Sequence, residues 1–246
     1  MSSLVDRSSI SGAGPKHSVV ARRLSRLGPF SAAENQIISD ICQGQASTYP
    51  IRAIVGASRD GGESLRFIAS GWICRVRELK DGRRQLIQLL LPGDAVLSVS
   101  GSPRNHFLQS LTPAQLIDGS AFASAAAEPQ RYPAIGRALT RLAEFERTLL
   151  MEYVVRLGRQ AAVERVAHLL MEVRVRLGIV GMAKHDELPF RMTQEAMSDL
   201  LGLSPVHINR TLMTLKRTGL ISIAHGRVNL LDVPALEKLA EFRMSA

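Results

Sequence analysis

The chain of 246 residues carries 31 Lys and Arg against 22 Asp and Glu, a formal net charge of +9. Its 46% hydrophobic and 22% charged residues exclude a disordered chain, and no apolar run nears the roughly 18 residues that span a bilayer. Two cysteines, Cys42 and Cys74, exclude a disulfide framework and a four-cysteine iron–sulfur cluster, while the basic balance calls for a polyanionic partner, nucleic acid or membrane.

Residues 1–20 are rich in Ser and Gly, with no apolar leader, and read as a mobile tail; the expected location is the cytoplasm. A short helix follows. Leu24, Leu27, Ile37, Ile38 and Ile41 recur at near-helical spacing, and Ser31 with Glu34 forms a Ser-x-x-Glu capping box.

From about Tyr49 the texture changes to short apolar segments separated by Gly, Asp and Pro. Trp72, Cys74 and Val76 alternate with Ile73, Arg75 and Arg77, the signature of a half-buried strand. Asp81-Gly82 predicts a hairpin turn with Gln85 to Leu91 returning, and Pro92-Gly93-Asp94 closes the pair. A weaker strand set runs from Phe107 through Leu111 to Leu116 and Ile117, followed by a small Ala/Ser cluster at 121–127. Many short strands need closure, so 21–132 is expected to be an antiparallel barrel or roll.

After Pro133 the period becomes helical. Ile135, Leu139, Leu142, Leu149 and Tyr153 form a stripe flanked by Arg137, Arg141, Glu144 and Arg147, and residues 133–157 read as a dimerisation helix. Gly158 is expected to end it. A second helix carries Ala162, Val166, Leu169, Leu170 and Val173, and 178–189 reads as a loop.

The segment Thr193 to Arg217 has the grammar of a helix-turn-helix. Thr193 caps a first helix whose inner face is Ala196, Met197, Leu200 and Leu201, and Gly202 supplies the left-handed residue that ends it. Ser204 caps the second helix with Pro205 at its first position, and Ile208, Leu212 and Leu215 make its inner stripe. Leu220 to Ile223 and Arg227 to Leu231 flank His225-Gly226 as a hairpin wing. The outer face presents Val206, Arg210, Thr214 and Arg217, and between Asp199 and Asp232 there is no acidic residue, while Arg210, Lys216, Arg217 and Arg227 all fall there. A carboxylate facing DNA phosphates would offset a cation, so a span without any points to DNA.

With these residues in place, the chain from about 22 to 240 resembles the Crp/Fnr family of bacterial transcription regulators. Met192 to Asp232 resembles the family's winged helix-turn-helix. Ser70-Gly71-Trp72, Asp81-Gly82-Arg83-Arg84-Gln85 and Leu91-Pro92-Gly93-Asp94 resemble the hairpin core of its cyclic-nucleotide-binding-like roll. The resemblance implies an α+β protein: a sensor roll, a dimerisation helix and a DNA-binding unit at 158–246, paired as a homodimer on a two-fold symmetric operator. RNA polymerase is a further partner if the protein activates. Arg210 matches the family's base-reading arginine and suits a bidentate contact to guanine; Val206 suits a thymine methyl, and His207 a base edge, a phosphate or solvent. Thr193, Ser204, Lys216, Arg217 and Arg227 complete the expected DNA-binding set.

The effector pattern departs from the family. Ala95 to Ala127 contains no Glu and a single Arg, Arg104, followed by Asn105, so the Gly-Glu and Arg-Ser/Thr pairs that hold cyclic AMP are missing. Neither cyclic AMP nor an iron–sulfur cluster is expected as cofactor, and no metal site. Haem would have to draw on His17, His106, Cys42 or Cys74, none of which stands in a ligand pattern. Two other classes of function fit less well. A ligand-binding module of a larger machine has no use for the acid-free helix-turn-helix. An enzyme would need spacing that Asp94, Ser102, His106 and Asp118 lack.

Overall fold

The computed structural model describes residues 18–55, 64–98, 106–183 and 186–242. Most of the expected tail, and Ser102, Arg104, Asn105 and His17, lie outside the described residues. Residues 18–20, assigned to the tail, instead open helix α1 (Ser18–Ser25), and Val20 is fully buried. The expected single short helix is two. Gly28-Pro29 separates α1 from α2 (Ala32–Gln43), where Ser31 and Glu34 form the capping box. The second oxygen of Glu34 accepts from the amides of Ala134 and Ile135, at 2.7 and 3.2 Å, and so also anchors the start of the long helix.

Eight strands follow among the described residues: β1 (Ala46–Tyr49), β2 (Ile54–Val55), β3 (Ser64–Ser70), β4 (Ile73–Glu78), β5 (Arg84–Leu90), β6 (Ala95–Ser98), β7 (His106–Ser110) and β8 (Ala114–Asp118). They form two four-stranded antiparallel sheets, ordered β1-β8-β3-β6 and β2-β7-β4-β5. Between the sheets lie Val55, Ile68, Ile73, Leu90, Val96, Leu108 and Leu116. Gly71 turns β3 into β4 at φ +84°, where an added Cβ would sit 2.4 Å from the Pro113 carbonyl; no other residue fits.

The alternation expected in β4 is present, but its faces are assigned differently. Ile73 points into the roll, while Trp72, Cys74 and Val76 point outward and are buried against the C-terminal half. Both faces of this hairpin are covered, which is why Leu89 and Leu90 are buried side by side.

The Ala/Ser cluster is a helix, α3 (Ser120–Ala126), held by Phe122 edge-on to Phe67 with centroids 5.6 Å apart. The long helix α4 (Pro133–Arg159) has 27 residues and runs through Gly158; extended backbone at Gln160 and Ala161 ends it. The stripe expected to be a dimer seam is turned toward this same chain. Ile135 and Leu142 pack with α1, α2 and β3, Leu139 packs half-buried beside them, Leu149 is buried, and Tyr153 joins the C-terminal core. A helical period reveals that a face is covered, not what covers it.

Helix α5 (Ala162–Ile179) is followed by a short strand, β9 (Glu187–Pro189), in the segment expected to be a loop. Then come α6 (Gln194–Leu201), α7 (Pro205–Arg217), β10 (Ile221–Ala224) and β11 (Arg227–Leu230). The chain closes on α8 (Val233–Ala240), a helix outside the expected elements. β9 pairs with β11, so the wing has three strands in the order β10-β11-β9. No helix among the described residues is long and apolar enough to cross a membrane.

Candidate nucleic-acid interface

Short-range chemistry builds the helix-turn-helix. The Thr193 hydroxyl accepts from the Ala196 amide at 3.1 Å, and Ala196, Met197, Leu200 and Leu201 bury the inner face of α6. Gly202 at φ +63° reverses the chain. Ser204 then accepts from the His207 amide at 3.2 Å, and Pro205 begins α7. Ile208, Thr211 and Leu215 are buried on α7, while Leu212, assigned to the inner stripe, is only half-buried.

The outer face of α7 presents Val206, His207, Arg210, Lys216 and Arg217 to solvent, as expected. Thr214 is half-buried and donates its hydroxyl to the Arg210 carbonyl at 3.0 Å. Asn209 and Met213 are also exposed there, outside the expected set. Counting three and seven residues on from Val206 finds them, and an Asn side chain suits adenine as Arg suits guanine. Arg210, Met213, Thr214, Lys216 and Arg217 line a shallow concavity along this face. Thr193 and Ser204, both exposed, stand at the N-termini of α6 and α7, where free amides favour a phosphate.

Arg227, in the expected DNA-binding set, lies on the wing with its guanidinium engaged. Its Nε is bonded to the Glu187 carboxylate of β9, so the wing carries an ion pair where a free cation was expected. The acid-free span misleads because the opposing charge arrives from the strand read as loop. The acids of α6 are engaged as well: Arg84 on β5 reaches Asp199 at 2.5 Å and Glu195 at 3.2 Å. Gln85 donates to the Asp199 carbonyl at 2.5 Å and to the Tyr153 hydroxyl at 2.6 Å. The roll therefore holds the first helix of the DNA-binding unit through the Arg84-Gln85 pair.

A buried ionic cluster joins α4, α5 and the turn after β5. Arg156 contacts His168 at 2.9 Å and pairs with Glu172; Glu172 also pairs with Arg176, which pairs with Asp94. Burial pushes the Glu172 carboxyl up, but Arg156 and Arg176 win and hold it below its ordinary value. Burial and Arg156 lower His168. A guanidinium can only donate, so Nδ1 of His168 accepts, and its Nε2 carries the proton toward Glu152, 3.1 Å away.

The remaining sequence candidates are engaged structurally. Cys42 and Cys74 are free and buried; burial raises both thiols, Cys74 to about 12. His106 lies 2.7 Å from Arg77. Among the described residues no three His, Cys, Asp or Glu side chains are grouped to hold a metal ion. A cavity of about 390 Å³ between the roll and α4 is lined mainly by Leu65, Leu90, Leu97, Leu139, Leu142 and Leu149.

A capped two-helix unit with a basic outer face and a wing, carried on a β-roll, defines a DNA-binding transcription regulator. Residues 164–239 match the model of the Crp-like helix-turn-helix domain. The chain is 35% identical over 162 residues to the nitrogen fixation regulation protein FixK of Bradyrhizobium diazoefficiens, covering 66% of this chain and 68% of that protein. It is 30% identical over 173 residues to the transcriptional activator protein FnrL of Cereibacter sphaeroides, covering 66% and 67%. Among solved structures, FixK2 from Bradyrhizobium japonicum superposes with a TM-score of 0.67 at 23% identity, over 82% of this chain and 98% of that one. The chain belongs to the Crp/Fnr family of transcription regulators, which act by binding DNA and are not enzymes.

Proposed function

We propose that the protein works as a cytoplasmic homodimer on a two-fold symmetric operator, with α7 in the major groove and the roll, up to residue 132, as the sensing part. The observation that carries this reading is the outer face of α7, where Val206, Asn209, Arg210 and Met213 are all exposed with no carboxylate among them. Two such helices on one face of a duplex read half-sites about 34 Å apart. RNA polymerase is the further partner where the bound protein activates.

The exposed apolar residues of α4, Met151, Val154 and Val155, are what a second copy would cover. Cyclic AMP is not the effector in this reading. The two carboxylates lining the roll cavity are both occupied, Asp94 by Arg176 and the Leu91 amide, and Glu146 by Arg75. Neither is left to receive a ribose hydroxyl.

Fluorescence anisotropy on an operator selected from random DNA tests the assignment. Arg210→Ala should cost about 1–3 kcal/mol there and flatten the preference at one base pair per half-site. Lys216→Ala and Arg217→Ala should weaken all sequences alike and reduce the salt slope by about one for each phosphate no longer neutralised. Equal weakening on operator and random DNA for Arg210→Ala would make that residue a phosphate contact.

A further inference from the structure

A second cavity, of about 590 Å³, lies where α1, α4 and α5 meet and shares Arg23 and Phe145 with the roll cavity. Its wall is strongly basic: Arg23 from α1, Arg26 from the turn after it, Arg141 from α4 and Arg174 from α5, with Phe145 and Leu27 as apolar surface. Only Arg174 has acidic partners, Asp186 at 3.1 Å and Glu237 at 3.9 Å. Arg141 donates to the Leu27 carbonyl. Among the described residues no carboxylate stands within ion-pair distance of Arg23, Arg26 or Arg141.

Arg23 makes the arrangement specific. It is only 6% exposed, its guanidinium lies 4.3 Å from the centroid of the Phe145 ring, and its Nε has no hydrogen-bond partner. The charge of Asp94 attracts it, but that carboxylate is already committed to Arg176 and the Leu91 amide. Burial without a contacting anion lowers its pKa, the direction of an uncompensated charge. A buried guanidinium lacking a counter-charge is costly, and an anion entering the cavity would remove that cost.

We propose that this cavity binds a small multivalent anion, bearing a phosphate or several carboxylates, on Arg23, Arg26 and Arg141, with any apolar body of the ligand against Phe145 and Leu27. The contacts named lie on α1, the turn after it and α4, while Arg174, Val175 and Ile179 of α5 form the remaining wall. The site is separate from the outer face of α7 and stands without the DNA-binding assignment.

Isothermal titration calorimetry of the full chain with inorganic pyrophosphate, and separately with citrate, at about 0.15 M salt tests it. One saturable site per chain is expected for at least one of the two probes. Pyrophosphate alone narrows the ligand to phosphates, citrate alone to carboxylates. Arg26→Ala and Arg141→Ala, both at exposed positions, should each weaken that binding about fivefold or more, with the melting temperature kept within a few degrees. Arg210→Ala should leave it unchanged. No saturable binding of either probe overturns the proposal, as does a smaller effect of both cavity variants or weakening through Arg210→Ala. Arg23→Met, if it folds, should abolish binding; retained binding there also overturns it.

Discussion

Arg84 on the second strand of the roll hairpin places its Nε 2.5 Å from Oδ2 of Asp199 on α6. Burial alone would weaken the charged guanidinium, but the bond and charge of Asp199 outweigh it and raise the Arg84 pKa. The pair spans the two halves of the protein, and the neighbouring Gln85 reaches the backbone of the same helix. The hairpin and the helix that precedes α7 are thereby joined by side-chain contacts. Arg84→Ala should therefore loosen α6 from the roll without unfolding either. A double-mutant cycle with Asp199→Ala should give a coupling of about 1 kcal/mol, and amide exchange over Gln194–Leu201 should quicken in Arg84→Ala. A coupling near zero would mean that packing alone docks the helix.

The dimer assignment has a discriminating test because two apolar faces of α4 behave differently. Met151 is 60% and Val154 69% exposed, whereas Leu142 and Leu149 are buried without a second copy. Met151→Asp with Val154→Asp should yield a folded monomer with an unchanged circular dichroism spectrum. Leu142→Asp with Leu149→Asp should unfold the chain instead, since each buries a carboxylate in its own core at several kcal/mol. Sedimentation velocity separates the two, and an intact dimer in the first variant would remove that face as the interface.

What is legible in the sequence is the chemistry that acts over a few residues. Ser31 with Glu34, Thr193, Gly202, and Ser204 with Pro205 each satisfy a chain end locally, and each stands where its motif puts it. Long-range partners are not legible. The period of α4 is the same whether Ile135 faces a second copy or the chain's own roll, and Arg227 looks like a free cation until β9 brings Glu187 beside it. Helix α3 is hidden because Ser and Ala carry little pattern; its place depends on Phe122 meeting Phe67. Asn209 and Met213 escape for a different reason, since their spacing is present and only the residue types are unremarkable.

The buried cluster around His168 should make stability depend on pH in a defined window. Burial and Arg156 lower the His168 pKa in the folded chain, so the unfolded chain binds the extra proton first. Its contribution is complete above the unfolded value of about 6.5 and is lost as pH falls through the folded pKa. Glu172, lowered from 4.5, loses its contribution only at more acidic pH. Urea midpoints should therefore fall between about pH 7 and 5, and His168→Gln should flatten that part of the curve. A wild-type midpoint that stays level across this interval would mean that His168 takes up its proton equally in the folded and unfolded chains and that burial does not lower its pKa.

The ion pair in the wing leads to a prediction opposite to the usual effect of a basic residue. Arg227 is expected to meet DNA phosphate, yet Glu187 holds it and places a negative charge on the same strand pair. Arg227→Ala removes a cation but also exposes that carboxylate, so it should weaken DNA binding more than Lys216→Ala does. Glu187→Gln keeps the hydrogen-bond acceptor while removing the charge, leaving Arg227 free to neutralise a phosphate. Its affinity for random and operator DNA should rise together, and the slope of log K against log salt should steepen by about one per half-site. Anisotropy titrations at several salt concentrations read both quantities. An unchanged slope in Glu187→Gln, with Arg227→Ala equally silent, would mean that the wing stands clear of the DNA backbone and that α7 binds without it.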